Sequence, residues 1–127
     1  MKVVRTIEEL DETLAPMRTG SIGLVPTMGA FHAGHVSLFR AARHECDTVV
    51  VSLFVNAAQF DRPDDLAAYP QNEASDLAIA EEEGVDVVFT PTADELFPPG
   101  FQTWVEVEKL GRTLEGEHRP GHFRGVA

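Results

Sequence analysis

The chain has 127 residues, 43% hydrophobic and 24% charged, which fits one compact domain and excludes a disordered tail, a collagen or a disulfide scaffold. Lys and Arg number 10 against 21 Asp and Glu, and the net charge of −11 falls almost entirely after residue 60. No Lys or Arg lies between Pro63 and Glu108, which argues against a nucleic-acid track there, because phosphate neutralisation needs clustered cations.

In chain order, Thr6-Ile7-Glu8-Glu9 reads as a capping box, with Thr6 as N-cap and Glu9 three residues on. Ile7, Leu10 and Leu14 mark one face of the helix that follows, bounded by Pro16 and Gly20. Ser21 to Val25 predicts a short buried strand ending at Pro26, and Gly34 to Glu45 predicts a helix. Thr48 to Val55 is the clearest strand, a near-continuous apolar run suited to a parallel strand covered on both faces. Asn56 to Pro70 reads as loop. Asn72 caps a helix running to Glu83 and stopped by Gly84, and Val85 to Phe89 is a further buried strand. Pro91 to Gly100 is turn-rich, Thr103 to Glu108 alternates like a half-exposed strand, and the Gly-rich remainder reads as loop. Strands alternating with helices predict an α/β fold: a Rossmann-like parallel sheet with helices on both faces, in one domain over 1–127. Ligands of such sheets bind beyond the carboxyl ends of the strands, which here release the loops Pro26–Gly34 and Asn56–Phe60.

The first of these loops, Pro26-Thr27-Met28-Gly29-Ala30-Phe31-His32-Ala33-Gly34-His35, carries the chemistry. Gly29 and Gly34 permit close approach of backbone to ligand, and a helix starting near Gly34 favours a phosphate at its N-terminus. The three-residue spacing of His32 and His35 brings both imidazoles to one side, where each can donate to a phosphoryl oxygen. Taken alone, such a pair is more often incidental or a loose metal pair; a zinc site is disfavoured because no Cys or obvious third ligand accompanies it, and no residue is assigned to a metal. Cys46 is the only cysteine, expected as a small buried hydrophobe, and it excludes an intrachain disulfide. No apolar run approaches the ~20 residues of a membrane span, and Met1 to Thr6 lacks a signal-peptide core, so a cytoplasmic chain with no membrane partner is expected.

His32-Ala33-Gly34-His35 resembles the His-x-Gly-His signature of the nucleotidylyltransferase superfamily. The whole string Pro26 to His35 with Ser37-Leu38 resembles the pantoate–β-alanine ligase family, as do Phe54-Val55-Asn56-Ala57-Ala58-Gln59-Phe60, Tyr69-Pro70, Glu115-Gly116 and Arg119 to Val126. The resemblance implies ATP as co-substrate with Mg2+, and pantoate and β-alanine as small-molecule substrates joined through a pantoyl adenylate. It implies an ATP site along Met28, Gly29, Ala30, Phe31, His32, Ala33, Gly34 and His35, with His35 as catalytic proton donor and His32 on a phosphate beside it. Gln59 would bind pantoate and β-alanine, with Pro26, Thr27, Met28 and Asn56 on the substrate side. It also implies a homodimer. Two positions depart from the family pattern: Ala57 stands where proline is usual, and Gln71 where arginine is usual. Family members also continue well beyond the position of Ala127, through a lysine-bearing phosphate-binding segment and a smaller C-terminal domain, so the resemblance is to the N-terminal part. The competing readings are a nucleotidylyltransferase acting on a phosphate acceptor, and a non-catalytic ligand-binding or dimerising module.

Overall fold

The strand Thr48–Leu53 (β3) is four valine or threonine residues followed by Ser52 and Leu53, and its first four residues are buried. In the computed structural model, which describes residues 1–127, it is a central strand of a four-stranded sheet. The other strands are Lys2–Val4 (β1), Ile22–Thr27 (β2) and Val87–Phe89 (β4). The sheet order is β1-β4-β3-β2, and every pairing is parallel.

That order dictates where the helices lie. The connection from β1 to β2 runs to the far edge of the sheet, whereas β2 to β3 to β4 steps back in the opposite direction. Right-handed crossovers therefore send Ile7–Leu14 (α1) to one face, and Ala33–Glu45 (α2) and Glu73–Glu82 (α4, numbered after Pro63–Ala68, α3) to the other. The strand alternation matches. Val49 and Val51 join Val25, Val88, Phe39 of α2 and Ala80 of α4 in one cluster. Val50 joins Val4, Val87 and Phe89 in the second, packed by Leu10 and Leu14 of α1 and Met17 of the 3₁₀ turn Ala15–Met17. The expected doubly covered parallel sheet is thus observed.

By contact, the chain divides into two compact units. The sheet unit comprises Met1–Phe54 and Pro70–Leu96; the second comprises Val55–Tyr69 and Phe97–Ala127. In the sheet unit the Thr6–Glu9 capping box is formed, Asn72 caps α4 by accepting from the Ser75 N–H at 3.2 Å, and Gly84 follows the helix at φ +73°. β2 continues through Pro26 to Thr27, further than expected; β2 is an edge strand, where a missing N–H costs no ladder bond. β3 stops at Leu53 and β4 spans only Val87–Phe89, both shorter than the apolar runs suggested. At the entry end of the sheet, Asp47 accepts from the Ser21 N–H and Oγ–H, both at 2.8 Å. Asp86 accepts from the Val49 N–H at 2.7 Å and pairs with Arg43. These carboxylates fasten neighbouring strands at the end opposite the loops of interest.

The second unit departs from expectation. Thr103 to Glu108 pairs with no strand. Trp104 instead lies 6.1 Å from the Phe97 ring in a stacked arrangement, with Phe101 edge-on at 5.4 Å and the Arg124 guanidinium 4.5 Å above the indole. The expected loops also contain short helical pieces: 3₁₀ turns Ala57–Gln59 and Leu110–Arg112, α3, Glu115–His118 (α6) and His122–Val126 (α7). In the sheet unit, Ala93–Leu96 (α5) is similarly short. No helix is long and apolar enough to cross a membrane.

Candidate active site

The chain leaves β2 at Thr27, whose Oγ donates to the Ser52 carbonyl at 2.7 Å and accepts from the Gly29 N–H at 3.3 Å. Half-buried Met28 then leads to two left-handed residues in succession, Gly29 at φ +85° and Ala30 at φ +54°. This conformation is easy for glycine and costly for alanine. The buried Asp76 carboxylate on α4 accepts from the Ala30 N–H at 2.9 Å and the Phe31 N–H at 2.7 Å. The Phe31 ring stands edge-on to Phe39 at 5.1 Å and lies 5.3 Å from the His35 ring.

His32 is the N-cap of α2, in extended conformation. Its Nδ1 accepts from the Gly34 N–H at 3.1 Å, and His35 Nδ1 accepts from the His32 N–H at 3.3 Å. This is a reciprocal capping box in which two imidazoles replace the usual hydroxyl and carboxylate. The sequence spacing of three, N-cap to N3, is what that geometry requires. Gly34 makes room for it: a Cβ there would sit 2.8 Å from His32 Cε1.

A neutral imidazole whose Nδ1 accepts carries its proton on Nε2. Both histidines therefore present an Nε2–H donor, on rings 4.3 Å apart at a helix N-terminus. Burial, then the nearby His32, lowers the His35 pKa, while Asp76 pulls it upward, so neutral His35 is favoured. Of the first free N–H groups of α2, His32 takes that of Gly34; those of Ala33 and His35 have no intrahelical acceptor. A neutral donor pair above a helix start is suited to an oxyanion of a phosphate.

In the second unit, Asn56 caps the 3₁₀ turn Ala57–Gln59: its Oδ1 accepts from the Ala58 N–H at 3.0 Å and its Nδ2 donates to the Gly125 carbonyl at 2.8 Å. The Gln59 carbonyl accepts from Arg119 Nη2 at 3.2 Å and lies 2.9 Å from His122 Nδ1. α7 passes so close that a Cβ on Gly125 would overlap the Ala58 carbonyl. The half-buried Gln59 carboxamide makes no hydrogen bond within the chain.

Pro26 to His35 thus form one continuous group at the exit of β2, and Asn56 and Gln59 form a second group in the other unit, clasped by the tail. The carboxamide of Asn56 is engaged at both ends in holding the turn. The backbone N–H groups of Ala30 and Phe31 are engaged by Asp76. Asp76 itself was not singled out in the sequence; the available signal was a carboxylate four residues before Ala80 on the core-facing stripe of α4. No group of three or more His, Cys, Asp or Glu side chains converges to hold a metal ion.

The family model described as pantoate–β-alanine ligase matches residues 2–127. The pantothenate synthetase of Acidobacterium capsulatum is 58% identical over 109 residues, covering 86% of this chain and 36% of that protein. That of Roseiflexus castenholzii is 52% identical over 127 residues, covering 100% of this chain and 45% of that protein. The crystal structure of the Francisella tularensis pantoate–β-alanine ligase, complexed with β,γ-ATP and β-alanine, superposes with a TM-score of 0.94. It is 38% identical, over 99% of this chain and 49% of that one. The chain spans less than half the length of these relatives.

Proposed function

This chain belongs to the pantoate–β-alanine ligase family, and we propose that it supplies the ATP-binding and pantoate-activating part of the ATP-dependent joining of pantoate to β-alanine. In the first step a pantoate carboxylate oxygen attacks the α-phosphorus of ATP, and pyrophosphate leaves. In the second the β-alanine amine attacks the acyl carbon, AMP leaves with the C–O bond electrons, and the amine loses a proton.

The observation that carries this reading is the paired Nε2–H donors of His32 and His35 at the start of α2. Charge grows on the phosphoryl oxygens as pantoate attacks, and fixed donors aimed there are worth more in the transition state than in the ground state. His35, half-buried and kept neutral, is the stronger candidate because its hydrogen bond is partly shielded from water. It donates a hydrogen bond through Nε2; lowering of its pKa disfavours the imidazolium form. The N–H groups of Ala33 and His35 add backbone donors. Gln59 is the proposed reader of pantoate and β-alanine, because its carboxamide offers both donor and acceptor to hydroxyl and carboxylate groups. Cytoplasmic residence, expected from the sequence, and homodimerisation, carried over from the family, are part of the same proposal.

The test is pantoate-dependent exchange of labelled pyrophosphate into ATP, in a version of the chain extended to the family's full length. His35→Ala should slow exchange on the order of 10²–10³-fold, the scale of one lost oxyanion-type donor. A loss under about tenfold in a folded variant would remove His35 from this role.

A further inference from the structure

Asp76 belongs to none of the strings that carry the family resemblance, yet its carboxylate is 3% exposed and reaches the loop between β2 and α2 with both oxygens. We propose that Asp76 is a positioning residue for the adenylation step, fixing the Ala30–Phe31 backbone and, through the Phe31 ring, the orientation of His35. The proposal rests on the functional reading of His32 and His35 given above.

Three observations lead to it. The two N–H groups it accepts are those of Ala30 and Phe31, immediately after the left-handed pair Gly29 and Ala30. A non-glycine residue holds that conformation only when its surroundings over-determine it, and the carboxylate is the group that does so here. The fit is close: a Cβ on Gly29 would come 2.9 Å from Asp76 Oδ2. Finally, Phe31 is held at its backbone by Asp76 and at its ring by Phe39, and that ring is a neighbour of His35.

The clamp has a second effect on ligand placement. Successive N–H groups in a turn form an anion-binding concavity. Asp76 fills this one with the protein's own carboxylate, so an incoming phosphate is denied the loop amides. It meets instead the donors at the start of α2. The carboxylate's own charge is answered by the two hydrogen bonds it accepts from Ala30 and Phe31.

Exchange kinetics in the full-family-length protein test this. Asp76→Asn presents an NH2 group to one of the two backbone donors and breaks the clamp. It should lower the kcat of pantoate-dependent pyrophosphate–ATP exchange about 10- to 100-fold, the scale of a misplaced catalytic group. KM for pantoate should stay within about twofold. In a His35→Ala background the same change should cost less than about threefold, because residues acting through one another are non-additive. An equal loss in both backgrounds, or no loss in a folded protein, overturns the proposal. If Asp76→Asn does not fold, Asp76→Glu carries the same comparison: it keeps charge and two acceptors but is one methylene too long, and unimpaired exchange overturns the proposal again. If His35→Ala alone leaves exchange intact, the functional reading fails and this proposal with it. If His35→Ala is impaired and the Asp76 variants are not, only Asp76 loses its role.

Discussion

The two histidines at the start of α2 have two jobs. As a capping box they satisfy orphan N–H groups through Nδ1, and that same use turns Nε2–H outward as donor. The spacing was legible in the sequence; the capping was not, because imidazoles are rare caps and no propensity scale points to them. Asp76 was illegible for a different reason. It sits in an acidic stretch that reads as a solvated face, and only the fold shows that this one carboxylate points inward. At Gln59 the free carboxamide leads to a binding prediction. Gln59→Ala should weaken pantoate and β-alanine by roughly 1–3 kcal/mol, the effect of leaving polar partners unmatched, and leave ATP untouched. Calorimetry that found pantoate binding unchanged and ATP binding weakened would reverse the assignment. The depressed His35 pKa makes a prediction about stability. The folded state disfavours its protonation, so the unfolded chain binds the extra proton as pH drops below the ordinary value of 6.5. Stability contributed by neutral His35 is therefore complete above that value and is lost as pH falls through the lower folded one. Urea titrations between neutrality and mild acid should show a steeper decline for the wild type than for His35→Ala; parallel declines would contradict it.

At the scale of elements, the long periodic segments were readable and the short or partnerless ones were not. α1 has a capping box and an apolar face, α4 has the Asn72 cap and the Gly84 stop, and α2 and β3 were read from their apolar residues. β1 is three residues with one buried side chain, too short for any period to register. Thr103 to Glu108 has strand-like alternation but pairs with no strand, and aromatic packing around Trp104 takes over. α3 carried an unread start signal, Pro63 at the first position followed by Asp64 and Asp65. The turn Ala57–Gln59 gives an engineering test. Ala57 occupies its first position, Asn56 before it is extended, and no hydrogen bond uses the Ala57 N–H. Ala57→Pro, restoring the residue usual in the family, should stabilise the protein by about 0.4–1 kcal/mol through the unfolded chain. Chemical denaturation would register this as a higher midpoint at constant slope; a lower midpoint would mean that the turn's dihedral angles do not suit proline.

For the whole molecule, the question is what 127 residues can do. The sheet unit holds the His32–His35 group and the second unit holds Gln59, but the relatives are more than twice as long. Well-placed groups and exclusion of water contribute up to about 7–11 kcal/mol of barrier lowering in such transfers. The −10 balance after residue 60 also opposes a triphosphate unless cations elsewhere offset it. The isolated chain is therefore expected to fold and bind pantoate weakly, and to form little pantoyl adenylate. Pantoate-dependent pyrophosphate exchange by the isolated chain, at a rate near that of the full-family-length version, would show instead that these residues hold a complete adenylation site.

The sheet order also has a bearing on how the chain comes off the ribosome. β2 and β3 lie side by side with only α2 between them in sequence, so they and the cluster around Phe39 can assemble from local contacts early in synthesis. The strand β1 is in a different position. β1 has one neighbour, β4, and its bonds, such as Lys2 N–H to the Asp86 carbonyl and Thr90 N–H to the Val4 carbonyl, wait until residue 90 has been made. Lys2, Val3 and Val4 thus have no strand partner before then, and Leu10 and Leu14 of α1 cannot bury against Val87 and Phe89. The β1 edge and the α1-covered face of the sheet are therefore completed after the β2–β3 pair and its cluster.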